Sequence, residues 1–189
     1  MNPYQAWNRL LVDYVTRSRE ANGQVFLSLD EADLQLIGQE AGGGVKDFLT
    51  AVRQEVVTEQ GSLNLGCIQG LDADGIPRCL GYLVATVLAA NRMKANEEAE
   101  ASNYFTRLRE VLDLSTDVEG RPKGMPIGAE EPLWQEWNRW LRRQGFRPTA
   151  KPGEGPKKYI NYPLSQALLR DHDRDRLHQL FDFKKWTNP

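Results

Sequence analysis

Cysteine and histidine are close to absent from this chain, and each shortage narrows its chemistry. Two cysteines in 189 residues, Cys67 and Cys79, are too few for a disulfide framework or a four-ligand zinc site. They could face each other across a hairpin, but a pair of reduced thiols in a cytoplasmic protein is the expected state. The two histidines, His172 and His178, lie six residues apart. Side chains share one helical face at three- or four-residue spacing, so this pair makes a poor metal or nuclease centre. GxSxG, HExxH and P-loop signatures are all missing. Gly42-Gly43-Gly44 is read as a turn, because no Gly-Lys-Ser/Thr follows it. A non-enzymatic protein without cofactor or metal is therefore expected.

Long apolar runs are missing too. The most apolar stretch, Cys79 to Ala90, is too short to cross a bilayer and reads as a buried helix. No basic segment followed by an apolar one opens the chain, so no signal peptide is expected. Charge of one sign does not dominate: 24 Lys and Arg stand against 26 Asp and Glu, a net of −2. That balance speaks against a nucleic-acid coat spread over the whole surface, though a local patch is compatible with it. Apolar residues at 40% and charged residues at 26% are ordinary for a folded domain.

What is present is mostly helical periodicity. Tyr4, Trp7, Leu10, Leu11, Tyr14 and Val15 predict an amphipathic helix from about Pro3 to Arg19. Asp30, with Asp33 three residues on, predicts a capped helix start. Further helices are expected over 45–57, 77–93, 103–114 and 133–143, with one or two short ones after Pro163. Strands are expected at 24–29 and 61–68, and a turn at the Asp74-Gly75 step. Asp72 and Asp74 lack the other ligands of a calcium loop. Asp171, Asp173 and Asp175 alternate as calcium ligands do, but Arg176 stands where the loop needs glycine. A capped, salt-bridged helix start is the better reading there. A metal-dependent hydrolase at Asp171, Asp173 and His178 is a remote alternative.

The stretch from Leu133 to Phe181 carries the densest positive charge and three of the five tryptophans. Leu133, Trp134, Trp137, Trp140 and Leu141 form the apolar stripe of a short helix. Acids and Pro132 sit at its start, Arg142 and Arg143 in its last turn, and Gly145 beyond as a C-cap. Residues 146–162 then read as a basic β-hairpin with its tip at 151–156. From Leu133 to Lys158, seven Lys and Arg face two Glu, a net of +5; from Glu97 to Glu119 the net is −5. The expected fold is mainly α with a few short strands (α+β). It is arranged either as two fused winged-helix-like halves, 1–76 and 77–189, or as one compact domain.

Two binding functions follow. In the first, Arg139, Arg142, Arg143, Arg147, Lys151, Lys157 and Lys158 lie on the phosphate backbone of a nucleic acid. Tyr159 and Tyr162 would add rings that stack on bases, or else form one buried strand face. In the second, the chain is an adaptor in a larger protein assembly, with Trp134 and Trp186 as exposed anchors. A plain core helix with a solvated basic face accounts for the same residues. YFTRLREVL, LWQEWNRWLRRQGFRPT and YINYPLSQALLRDHDRDRL resemble uncharacterised amino-terminal helical regions of large bacterial conflict or phage-defence proteins. That resemblance implies a recruiting or sensing module, with the chemistry elsewhere, and transfers no residue role.

Overall fold

A computed structural model describes residues 2–17, 23–39, 43–93, 101–152 and 158–167. Its helices are α1 (Pro3–Thr16), α2 (Glu31–Gln39), α3 (Val45–Val56), α4 (Leu80–Arg92), α5 (Ala101–Val111), α6 (Glu131–Arg143) and α7 (Lys158–Ala167). A short 3-10 turn covers Leu65–Ile68, and two short strands, β1 (Gln24–Val25) and β2 (Arg147–Pro148), complete the described elements. The chain is mainly α with a minimal sheet, as its periodicity predicts.

Everything is built around α4. Each residue from Leu80 to Asn91 is buried. A helix apolar on all sides is stable only when surrounded, and α1, α3, α5, α6 and α7 all touch it. Its few polar groups are satisfied locally. The Thr86 hydroxyl donates to the Leu83 carbonyl at 2.7 Å, and the Asn91 amide to the Leu29 carbonyl at 3.1 Å. Cys79, at the helix start, supplies no side-chain cap. Helix α1 supplies it instead. The Asn8 Oδ1 accepts from the Gly81 N–H at 2.7 Å, while its Nδ2 donates to the Arg78 carbonyl at 3.1 Å. The Tyr4 hydroxyl donates to that same carbonyl at 2.7 Å and accepts from the Tyr82 N–H at 3.2 Å.

Local rules set several helix starts. The Asn2 side chain accepts from the Tyr4 N–H at 2.9 Å, with Pro3 in the first turn of α1. Asp30 and Asp33 cap α2 reciprocally: the Asp33 N–H reaches Asp30 Oδ1 at 3.0 Å, and the Asp30 N–H reaches Asp33 Oδ2 at 3.0 Å. The Asp72 carboxylate closes the expected turn, accepting from the Asp74 and Ile76 N–H groups at 2.9 Å each. Cys67 and Cys79 are both free thiols, with Cys79 buried and Cys67 half-buried.

The strand expected at 24–29 is present as the two-residue Gln24–Val25, and the other strand expectations are corrected. The described residues of 146–162 do not form the expected hairpin. Arg147–Pro148 pairs in parallel with Gln24–Val25, and Lys158 opens a helix. Four alternating residues cannot separate a strand from a helical turn. Ile160, Pro163 and Ala167 are buried at helical spacing, and the Tyr162 ring stacks on Trp134 at 5.7 Å. Residues 61–68 hold an isolated bridge and the 3-10 turn in place of a strand. The described residues therefore contain no hairpin to serve as a wing in the second half. The core also runs without a break across residue 76, joining Trp7, Phe48 and Ile68 to Leu83, Leu108 and Trp137.

Asn8 is 1% exposed and holds the α1–α4 junction. Asn8→Ala is expected to leave an N–H and a shared carbonyl short of partners and to cost about 2 kcal/mol. Urea unfolding of the variant checks it; a loss under about 0.5 kcal/mol, the scale of a surface change, would remove this role from Asn8.

Candidate functional site

Helix α6 is sharply two-sided. Leu133, Trp134, Trp137, Trp140 and Leu141 are buried against the core. Trp137 and Trp140 stack with ring centroids 5.3 Å apart, and the Trp140 Nε1–H donates to the Gly75 carbonyl at 2.8 Å. With one face fixed inward, the helical period sends Arg139, Arg142 and Arg143 outward together, and all three are exposed. The helix ends in a Schellman motif. The Phe146 N–H reaches the Leu141 carbonyl at 2.9 Å, the Gly145 N–H reaches Arg142 at 3.1 Å, and Gly145 has φ +81°. Gly145 is thus the cap its position predicts.

Past that turn the chain stays pinned. The Arg147 N–H donates to the Gly23 carbonyl at 2.9 Å as β2 joins β1. The Asn138 amide on α6 donates to the Ala150 carbonyl at 2.9 Å. Arg147 and Lys151 are therefore presented, exposed, from backbone tied to the sheet and to α6. Residues 139–151 contain five cations and no acid. None of the five forms an ion pair with a described residue, whereas Arg9, Arg53, Arg92 and Arg107 pair with Asp74, Asp113, Glu31 and Glu110.

Other expected site residues fare differently. Trp134 is corrected as a partner anchor: it is 0% exposed, stacked on Tyr162, because it belongs to the apolar stripe of α6. Trp186, Lys157, Asp171, Asp173 and His178 lie outside the described residues. Lys158 begins α7, with its side chain outside the description. Tyr162 is 5% exposed, which decides for the buried reading of its ring. Among the described residues no group of three or more His, Cys, Asp or Glu could hold a metal ion, and no helix is long and apolar enough to cross a membrane.

A second cluster was not foreseen. Glu130, at the start of α6, is buried at 4% exposure. Its Oε1 accepts from the Tyr82 hydroxyl of α4 at 3.0 Å and the Tyr104 hydroxyl of α5 at 3.1 Å. One carboxyl so joins three helices. Burial raises its pKa to about 7, against the opposing pull of the two hydroxyls and of Arg121. Burial and then the Glu130 charge raise both tyrosines well above their ordinary range. The adjoining cavity, about 20 Å³, is lined by Phe105, Arg121, Met125, Glu130, Pro152 and Tyr162, with the Arg121 guanidinium 5.0 Å from the Phe105 ring centre. It admits one water-sized molecule, so Glu130 serves as a clamp between helices. In the sequence Glu130 looks like one more acid at a helix start. The available signal was Tyr82 inside an apolar run, since a buried tyrosine needs a hydrogen-bond partner.

No protein-family model matches the chain, and no curated protein or solved structure gives a significant match.

Glu130 makes stability depend on pH. Its carboxyl binds a proton more readily folded, near pH 7, than unfolded, near the ordinary 4.5. Between those values the folded chain holds a proton that the unfolded chain releases. This contribution is full below pH 4.5, falls as pH rises, and is gone above pH 7, a change of roughly 3 kcal/mol. Tyr82 and Tyr104, whose hydroxyls bond the carboxyl, are raised well above their ordinary range and so stay protonated throughout that window. In Glu130→Gln the slope is expected to shrink by this contribution. Urea unfolding at pH 5 and pH 8 checks it, and a variant that keeps the wild-type slope would clear Glu130 of the effect.

Proposed function

We propose that the chain is a non-enzymatic binding module that holds nucleic acid by its phosphate backbone. Arg139, Arg142, Arg143, Arg147 and Lys151 are the contacts. The observation that carries this reading is that the five cations are exposed, uninterrupted by any acid, and not paired with any described residue. Four arginines elsewhere among the described residues, Arg9, Arg53, Arg92 and Arg107, sit against carboxylates. Cations kept free of local partners suit an anion supplied from outside, and phosphate contacts position a protein on its nucleic acid. Lys157 and Lys158 follow in sequence beyond Glu154.

The adaptor reading has less to stand on. Its expected anchor Trp134 is core. The large apolar side chains exposed among the described residues, Leu36, Leu71, Val118 and Ile127, are dispersed along the sequence. The resemblance to defence-type helical regions would make this module the recruiting part of a larger bacterial assembly.

Fluorescence anisotropy with labelled DNA at several salt concentrations tests the proposal. Affinity is expected to fall steeply with salt. Arg139→Ala, Arg142→Ala and Arg143→Ala together should weaken binding and reduce the log–log salt slope by about three. Each is expected to alter stability by no more than about 1 kcal/mol, since all three side chains are exposed and Arg142 and Arg143 also sit in the last turn of α6. Binding that ignores the triple substitution, or none at low salt, would sink the reading.

A further inference from the structure

Resting on that reading, we infer that the preferred ligand is duplex DNA over single-stranded DNA, gripped as a rigid polyanion without base stacking. Two observations carry this. The first is where the rings point. Proteins that hold single strands combine a cationic groove with exposed aromatic faces on which bases stack. In this stretch the faces are already used: Trp137 stacks on Trp140 and Trp134 on Tyr162, all four buried. The cations therefore stand without a described stacking partner for a base; Phe146, between Arg143 and Arg147, is itself packed against the core.

The second observation is the stiffness of the mount. Arg139, Arg142 and Arg143 occupy one face of a regular helix, spanning about 6 Å of its axis. Arg147 lies in the sheet, and the Asn138–Ala150 hydrogen bond fixes the backbone beside Lys151. Charges held at set positions suit a partner whose charges are also set. Duplex DNA keeps its shape over about 50 nm and carries a phosphate per about 1.7 Å of axis. A single strand has lower charge density and must be ordered as it binds, and stacking is what normally offsets that ordering.

The test compares a labelled duplex of about 20 base pairs with labelled oligo-dT of equal length, by anisotropy in low salt, using the full chain. The expected result is a duplex Kd at least threefold lower than that of the single strand. A smaller ratio, or tighter binding to oligo-dT, overturns this inference while the nucleic-acid reading stands. Binding to neither overturns both. Duplex preference that survives Arg139→Ala/Arg142→Ala/Arg143→Ala also overturns it, because the preference is assigned to the helix-mounted cations.

Discussion

The burial of α4 on every side is the constraint from which the other placements follow. A thirteen-residue helix with no solvated face must recruit its whole surroundings from the rest of the chain. Helices α1, α3, α5, α6 and α7 do this, which is why elements remote in sequence share one core. The same demand explains the polar contacts. Tyr4 and Asn8 complete the start of α4, Asn91 near its end holds the Leu29 carbonyl, and Tyr82 at its flank requires Glu130. A buried helix cannot send unpaired groups to water, so its neighbours carry the polar atoms it lacks.

From α4 the constraint passes to the basic ridge. Helix α6 packs by a stripe of three tryptophans and two leucines, whose large rings leave little freedom in rotation about the helix axis. Once that stripe is seated, Arg139, Arg142 and Arg143 have one direction left. The basic surface is thus a by-product of core packing in its placement, though not in its composition. Exposed positions of a helix tolerate most polar residues, so the run of cations reflects a separate requirement.

Where the signal was local, the sequence was legible. Asp30 and Asp33 at three-residue spacing, Gly145 after two arginines, and the Asp72–Gly75 turn all have short-range causes. Features that depend on distant partners were not. The β1–β2 pairing joins segments far apart in the chain, and no pattern within either segment names the other. Residues 158–162 alternate well enough for a strand, and only packing against Trp134 decides for a helix. Trp134 itself reads equally as anchor or core until its neighbour is known. Of the site, the outward arginines were legible from the helical period alone, while the Glu130 cluster needed three helices to be brought together.

A structural benefit also accrues to part of the ridge, and its size decides how much it explains. Arg142 and Arg143 lie in the last turn of α6, where cations interact favourably with the exposed carbonyl end, by about 0.3–1 kcal/mol each. That suffices to account for two cations without any ligand. It does not reach Arg139, a turn earlier, since the effect fades within the final turn. Nor does it apply to Arg147 and Lys151, which follow the Gly145 turn on separate backbone. Those three bring no described ion pair that would explain them as stabilisers of the fold. The helix end also sets a direction: its carbonyls disfavour an anion placed on the axis, so the proposed phosphate backbone would lie along the flank, where Arg139 and Arg143 are separated by one turn. Contact along a flank rather than at a tip is the geometry of a helix lying on a long charged rod.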